Sequence, residues 1–129
     1  MPLIEFHVLK GRSREEIATL LDASNRAVVT ALGVPKRDRY QIVHEHPATH
    51  FIVEDTGLNI PRSKDVVLIK ITSRPRSEAT KLKLYEELCR ELKVACNIAP
   101  SDVMVSITIN SDADWSFGNG RAQFITREL

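Results

Sequence analysis

Four short apolar runs along the chain alternate with two long stretches of helical periodicity. The runs have the length and composition of β-strands and cover residues 3–9, 40–43, 66–71 and 103–109. Between the first two runs, one helix face is predicted by apolar residues at Ile17, Leu20, Leu21, Val28, Ala31 and Leu32. Between the last two, a second face comprises Leu82, Tyr85, Leu88, Cys89, Leu92 and Cys96. The pattern predicts strand, helix, strand twice over.

The two halves also match each other position by position. With an offset of 64 residues (77 − 13 = 64), Ser13 falls on Ser77 and Gly33 falls on Asn97. The serines are placed to cap the start of each helix, and Gly33 and Asn97 are placed to end it in a left-handed conformation. We therefore expect one domain, residues 1–129, with internal repeats at approximately 2–46 and 66–110.

A helix that connects two neighbouring strands makes those strands parallel. The predicted fold class is therefore α/β (α+β), with a four-stranded sheet and both helices on one face. The other face is left uncovered, so we expect the chain to associate with copies of itself. Between the repeats, the apolar run Phe51-Ile52-Val53 predicts a small strand followed by an irregular loop.

Composition removes several classes of function. The chain has 129 residues, 18 of them basic and 17 acidic, and its net charge of +1 favours neither nucleic acid nor an anionic membrane as a partner. No run approaches the ~20 apolar residues of a membrane span, and no signal-peptide pattern is present, so we expect a cytoplasmic protein. His44, His46 and His50 lack the spacing of a zinc motif, so neither a metal site nor a cofactor is expected.

Pro2 is the residue that is best suited to catalytic chemistry. A small second residue normally lets the initiator Met1 be removed, which would leave Pro2 as a free secondary amine. Such an amine can act as a general base when neutral, as an electrostatic catalyst when protonated, or as a nucleophile that forms an iminium. The offset of 64 places Val66, at the start of the third strand, over Pro2. We therefore expect the sheet to hold the amine in place.

Two arginines and one aspartate are candidates for the rest of a site. Arg74 and Arg76 follow the third strand with Pro75 between them, and alternation along extended backbone directs both guanidiniums the same way. This arrangement suits a carboxylate, although two solvated arginines at a turn would give the same sequence. Asp38, just before the second strand, could reach Pro2 and either raise the pKa of its amine or position a water molecule. An ordinary turn aspartate is the alternative.

Aromatic residues are concentrated near the end of the chain. Three of the seven lie in a turn-rich segment, at Trp115, Phe117 and Phe124. Such rings form the apolar wall of a pocket when a polar site lies nearby, and pack in a core or subunit interface otherwise.

Over essentially its whole length the chain resembles the tautomerase superfamily, and within it the malonate semialdehyde decarboxylase family. The resemblance rests on Pro2 and on residues 38–41, 54–58, 73–78 and 110–118, of which the last two are the most specific. It implies a homotrimer of β-α-β repeats with Pro2 as the catalytic residue. It further implies that Asp38, Arg74 and Arg76 are polar site residues and that Trp115, Phe117, Phe124 and Leu129 form a hydrophobic wall.

The implied reaction is the cofactor-independent decarboxylation of a small 3-oxo acid, malonate semialdehyde, to acetaldehyde and carbon dioxide. Hydration of an unsaturated acid is the expected side reaction. Two alternatives remain open. A tautomerase for a 2-oxo acid or its enol would use neutral Pro2 as a general base, with Arg12 helping to bind the carboxylate. A ferredoxin-like binding module has the same order of elements, although the central strands lack the aromatic residues of an RNA-binding sheet.

Overall fold

A four-stranded sheet and two long helices make up the computed structural model, which describes residues 2–129. The elements are β1 (Leu3–Leu9), α1 (Arg14–Leu32), β2 (Tyr40–His46), β3 (Val67–Ser73), α2 (Glu78–Cys96) and β4 (Val103–Ile109), with short 3-10 turns at Ala48–His50, Pro100–Asp102 and Asp112–Asp114. The strand order is β2-β1-β3-β4. The pairs β1–β2 and β3–β4 are parallel, whereas β1 and β3 are antiparallel. The predicted sheet is confirmed, and neither helix described is long and apolar enough to cross a membrane.

The direct pairing of β1 with β2 rules out the ferredoxin-like alternative. In that fold, another strand separates the two strands that a helix connects. Here Leu3 lies opposite Tyr40 and Leu9 lies opposite His46, so the two strands are neighbours along their whole length. The ferredoxin-like binding module is therefore a wrong interpretation.

A serine side chain caps the start of each helix, and a residue in the left-handed conformation ends it, as predicted. The Ser13 hydroxyl accepts a hydrogen bond from the Glu16 amide at 3.1 Å, and the Glu16 carboxylate accepts one from the Ser13 amide at 2.9 Å. The bond that the Ser13 amide donates to the Glu16 carboxylate is the largest cause that lowers the pKa of Glu16. Ser77 accepts from the Thr80 amide in the same way at the start of α2. Asn97 ends α2 with a φ of 55°, in the left-handed region that an amide side chain tolerates.

The core lies between the helices and one face of the sheet. Alternate residues of β1 and β3 point into it, because successive side chains of a strand face opposite sides. In α2 the stripe that faces the sheet is Leu84, Leu88 and Leu92, and the prediction that Leu82 belongs to it is wrong, since Leu82 is 54% exposed. Two positions of a helix turn the side chain by about 200°, which carries Leu82 away from the face that Leu84 occupies.

The predicted small strand in the segment between the repeats does not form. Phe51, Ile52 and Val53 lie in irregular backbone that follows Pro47 and the 3-10 turn Ala48–His50. Ile52 is 77% exposed, so this apolar run has no partner strand that would satisfy its backbone and bury its side chains. Phe51 instead stacks its ring on His46, with the centroids 5.3 Å apart.

The second face of the sheet carries no helix in residues 2–129. It presents the odd-numbered residues of β1 together with their neighbours on β2 and β3, including Tyr40 at 39% and Ile42 at 44% exposure. The apolar side chains left half-exposed on this face agree with the expected self-association, which stays a prediction for this chain.

Candidate active site

The antiparallel pairing of β1 with β3 brings the start of one strand to the end of the other. Leu3 pairs with Thr72 on one side and with Tyr40 on the other. Pro2 therefore lies between the end of β3 and the start of β2, and its side chain is fully buried. The sheet holds Pro2 in place as predicted, whereas the expected removal of Met1 concerns a residue outside the described range 2–129.

Three of the predicted polar residues gather at this edge of the sheet. Asp38 is 9% exposed, and its backbone amide donates to the Pro35 carbonyl at 3.1 Å in the turn before β2. Burial, and then the positive charge of Arg74, lowers the pKa of Arg76, while the negative charge of Asp38 raises it. Arg76 therefore lies within electrostatic reach of both Arg74 and Asp38. The role of these three residues in a site stays a prediction.

Arg76 is half-buried and makes two long contacts. Its Nε donates to the hydroxyl of Ser73, and its Nη1 donates to the carbonyl of Leu32 at the end of α1, both at 3.4 Å. Both distances exceed the usual length of an N–H···O bond, about 2.9–3.0 Å. The guanidinium thus keeps much of its capacity to bind an anion. Ser73, only 2% exposed, was not anticipated from the sequence.

Arg74 is held by a carboxylate on one side and by a ring on the other. Its Nη1 donates to Oδ1 of Asp112 at 3.0 Å, and its Cζ lies 3.6 Å from the centroid of the Phe124 ring. The Nε of Arg74 is buried and has no hydrogen-bond partner among residues 2–129, so it is a donor open to a bound anion. Sequence reasoning missed Asp112, because 38 residues separate it from Arg74 and no local motif links them.

The predicted aromatic wall is assembled around Phe117. Its ring stacks on Trp115 at a centroid distance of 5.3 Å and meets the edge of Phe124 at 5.4 Å. Tyr40, the cross-strand neighbour of Leu3, also stacks on Phe117, at a centroid distance of 5.8 Å. The wall therefore extends from Arg74 to the strand beside Pro2. Tyr40 was missed in the sequence because it lies more than 70 positions before the tail.

One glutamine fixes the loop that carries these rings. The Gln123 side chain accepts from the Phe117 amide and donates to the Gly118 carbonyl, both at 2.9 Å. The indole of Trp115 donates to Asn110 at 2.8 Å. Leu129 is 63% exposed, and its amide donates to the Gln123 carbonyl at 3.4 Å. The role of Leu129 in the wall stays a prediction.

Arg12 does not join Pro2 within one chain. Arg12 follows the end of β1, about 20 Å from its start at ~3.3 Å per residue, and donates to the Asp65 carbonyl at 2.7 Å. It lines a cavity of about 350 Å³ together with Lys64 and Cys96. The tautomerase alternative therefore lacks its second carboxylate-binding arginine at the Pro2 end of the same chain.

That distant cavity is related to the Pro2 site by the internal repeat. The offset of 64 places Val66 where the other half has Pro2, so a peptide nitrogen replaces the candidate amine. Asp102 takes the position of Asp38, and both of its oxygens accept from Ser63, at 2.6 Å from the amide and 2.5 Å from the hydroxyl. This end of the sheet is therefore built for structure and has no group equivalent to the amine.

The fold and this edge of the sheet define a class of protein. Two family models, both described as tautomerase enzyme, match residues 2–60 and 38–118, and the chain belongs to the tautomerase family. In sequence it is 49% identical over 129 residues to the probable tautomerase YrdN of Bacillus subtilis (strain 168), with 100% of each chain covered. It is 28% identical to the probable tautomerase YusQ of the same strain, covering 97% of this chain and 99% of the relative.

Among solved structures, the chain is similar to malonate semialdehyde decarboxylase. One structure of that enzyme has 49% sequence identity and a TM-score of 0.97, with 98% of each chain covered. The FG41 malonate semialdehyde decarboxylase, inhibited by 3-bromopropiolate, has 39% identity and a TM-score of 0.93, covering 98% of this chain and 97% of its own. A symmetric trimer of fused 4-OT, at 22% identity and a TM-score of 0.75 over 92% and 94% of the two chains, shares the fold.

Proposed function

We propose that this chain decarboxylates a small 3-oxo acid, malonate semialdehyde, to acetaldehyde and carbon dioxide, with the amine of Pro2 as the catalytic group. The observation that carries the proposal is the Arg74 guanidinium lying 3.6 Å from the centroid of the Phe124 ring. A cation that binds a carboxylate and an apolar surface that favours uncharged carbon dioxide are thereby placed side by side. Proton transfer alone needs no such combination.

In the first route, Pro2 is protonated. Arg74 and Arg76 bind the carboxylate with its carbon–carbon bond out of the carbonyl plane, so that the breaking bond overlaps the carbonyl π system. The electron pair of that bond moves into an enolate, whose oxygen accepts a hydrogen bond from the Pro2 ammonium. A proton delivered to the enolate carbon then gives acetaldehyde. Asp38 stabilises the positive charge on the amine or positions a water molecule.

In the second route, neutral Pro2 attacks the aldehyde carbon, and the carbinolamine that forms loses the former aldehyde oxygen as water to give an iminium. The electron pair released with carbon dioxide then moves to the iminium nitrogen, giving an enamine that is protonated at carbon and hydrolysed. Both routes use the same residues and need no cofactor. Borohydride separates them, because it reduces an iminium to a stable adduct that adds mass to the intact chain.

The test is the decarboxylation of malonate semialdehyde by the methionine-free protein and by Pro2→Ala. Alanine also permits removal of Met1 but leaves a primary amine without the proline ring, so we expect kcat to fall about 100-fold or more. Pro61→Ala is the matched control. Pro61 is exposed in the loop between the repeats, so this variant should keep full activity. Undiminished turnover in Pro2→Ala would remove Pro2 from the mechanism.

We further propose that the protein works as a homotrimer and that activated water gives it a hydratase side activity toward unsaturated acids. Self-association would cover the sheet face that carries Tyr40 and Ile42. Light scattering coupled to size-exclusion chromatography measures the mass directly. A mass of one chain, 14.5 kDa, in the active protein would contradict the trimer.

The second candidate function is tautomerisation of a 2-oxo acid or its enol, which the name of the 49% identical relative YrdN favours. The dependence of kcat/KM on pH separates tautomerisation by neutral Pro2 from the first decarboxylation route, which uses protonated Pro2. A neutral Pro2 acting as a base loses activity as the pH falls, whereas a cationic Pro2 loses activity as the pH rises. Measuring both reactions over the same pH range shows which state of Pro2 each one uses.

A further inference from the structure

Four side chains with metal-binding chemistry meet on the uncovered face of the sheet. Glu5, His7 and His44 each offer one donor atom, and these three atoms lie within 4.8 Å of one another. Within this group His44 Nε2 and Glu5 Oε1 lie 3.1 Å apart. His46 adds a further imidazole, with its Nε2 2.8 Å from Nδ1 of His7. No step proposed for Pro2 uses this group.

The strand register produces the group. His7 and His44 are direct partners in the parallel pairing of β1 with β2, so they project from the same face. Glu5 and His46 lie two residues from this pair, one on each strand, and strand alternation directs them to that face as well. No local sequence motif indicates the group, because 37 positions separate His7 from His44 (44 − 7 = 37).

Two imidazoles and a carboxylate are the ligands that zinc and related divalent transition metals prefer. At metal–ligand distances of about 2.0–2.2 Å, donors on one ion can lie no more than about 4.4 Å apart, close to the separation already present. The rings of His7 and His44 are stacked, with centroids 4.6 Å apart and planes 9° from parallel. Binding therefore requires the imidazoles to turn about the Cβ–Cγ bond, a soft rotation. In a single chain the His44 and Glu5 side chains are 39% and 36% exposed, which leaves them room to turn. In the proposed homotrimer this face is covered, so the ion would lie inside the assembly.

We propose that Glu5, His7 and His44 bind one divalent transition-metal ion of the zinc class, with His46 as an available fourth ligand. The ion joins β2, an edge strand, to β1. It is a structural site, separate from the chemistry at Pro2, and does not depend on the proposed decarboxylation. Lys70 disfavours the binding of a cation here, because it lies across from Glu5 on β3 and its positive charge acts on His7.

The experiment is a zinc titration of the metal-free chain, without an affinity tag, by isothermal titration calorimetry. Cobalt gives an independent readout through its visible absorption, which reports nitrogen ligation. We expect one ion per chain with a dissociation constant in the micromolar range or below, and zinc should raise the Tm because it binds the folded chain. Absence of saturable binding below millimolar zinc would overturn the proposal.

Variants locate the site. His44→Asn and Glu5→Gln should each weaken zinc binding about tenfold or more. Loss of a residue that only hydrogen-bonds a ligand already costs about tenfold, and loss of a ligand should cost at least as much. His50→Asn is the matched control, since His50 lies outside the group and contacts Thr49. Lys70→Gln should tighten binding because it removes a nearby positive charge. Equal affinity in His44→Asn and His50→Asn would overturn the site, and circular dichroism confirms that each variant is folded.

Discussion

Arg74→Ala tests how much of the proposed reaction depends on binding the carboxylate at the aromatic wall. The substitution removes a half-buried guanidinium whose buried Nε has no hydrogen-bond partner in residues 2–129. Loss of a charged hydrogen bond to a substrate costs about 1.5–3 kcal/mol, or about 10- to 150-fold in kcat/KM. Because the carboxylate keeps part of its charge in the transition state, most of the loss should be an increase in KM.

The same substitution should have a smaller effect on stability, about 0.5–2 kcal/mol. The ion pair of Arg74 with Asp112 is 33% and 53% exposed, so it contributes about 0–1 kcal/mol, and the contact with Phe124 contributes about 0.5–1 kcal/mol. We therefore expect a Tm only a few degrees lower, measured by thermal circular dichroism. Arg74→Lys keeps the charge without the planar fork and should recover part of the activity.

The matched control is Arg121→Ala. Arg121 lies in the same tail and donates to Glu128 at 2.8 Å, so its substitution by alanine removes a comparable surface ion pair. Steady-state kinetics with malonate semialdehyde should show wild-type kcat/KM for this variant. If Arg74→Ala stays within twofold of wild type, or if Arg121→Ala loses as much, the assignment of Arg74 as a carboxylate-binding residue is wrong.

Three further predictions concern the wall, the core and a helix cap. Trp115→Gln should depress decarboxylation more than enol tautomerisation, because an apolar wall penalises the carboxylate more than the partly uncharged transition state; equal losses would leave Trp115 only a packing role. Leu88→Ala, at a position 1% exposed, should lower the free energy of unfolding in urea by about 2–5 kcal/mol. A loss under 1 kcal/mol would mean that the core refills the space. Ser13→Ala should cost about 1 kcal/mol in the same assay through loss of the bond to Glu16, and no loss would contradict that bond.

The elements of the fold were predictable because local sequence specifies them. Ser13 and Gly33 mark the ends of α1, and β1 covers the residues that its apolar run predicted. Errors arose where a pattern needs tertiary partners. Leu82 has the apolar character of a core residue but lies on the outer face of α2, and the run at 51–53 has strand composition but no strand to pair with.

The candidate site divides in the same way. Arg74 and Arg76 could be found from the sequence, since two residues of extended backbone relate them directly. Asp112, which holds Arg74, could not, because only the folding of the tail across the end of β3 brings the two together. The group at Glu5, His7 and His44 was missed for a similar reason: strand register, not spacing, places these side chains side by side.

The substitution of Val66 for Pro2 in the second repeat limits how many reactive centres an assembly can contain. A terminal amine exists once in a polypeptide, so two repeats joined by peptide bonds share a single one, however closely their backbones match. Under the proposed function, in which Pro2 supplies that amine, the number of reactive amines in an assembly equals its number of chains and not its number of repeats. A reagent that labels the Pro2 amine should saturate at one group per chain, which intact mass spectrometry measures.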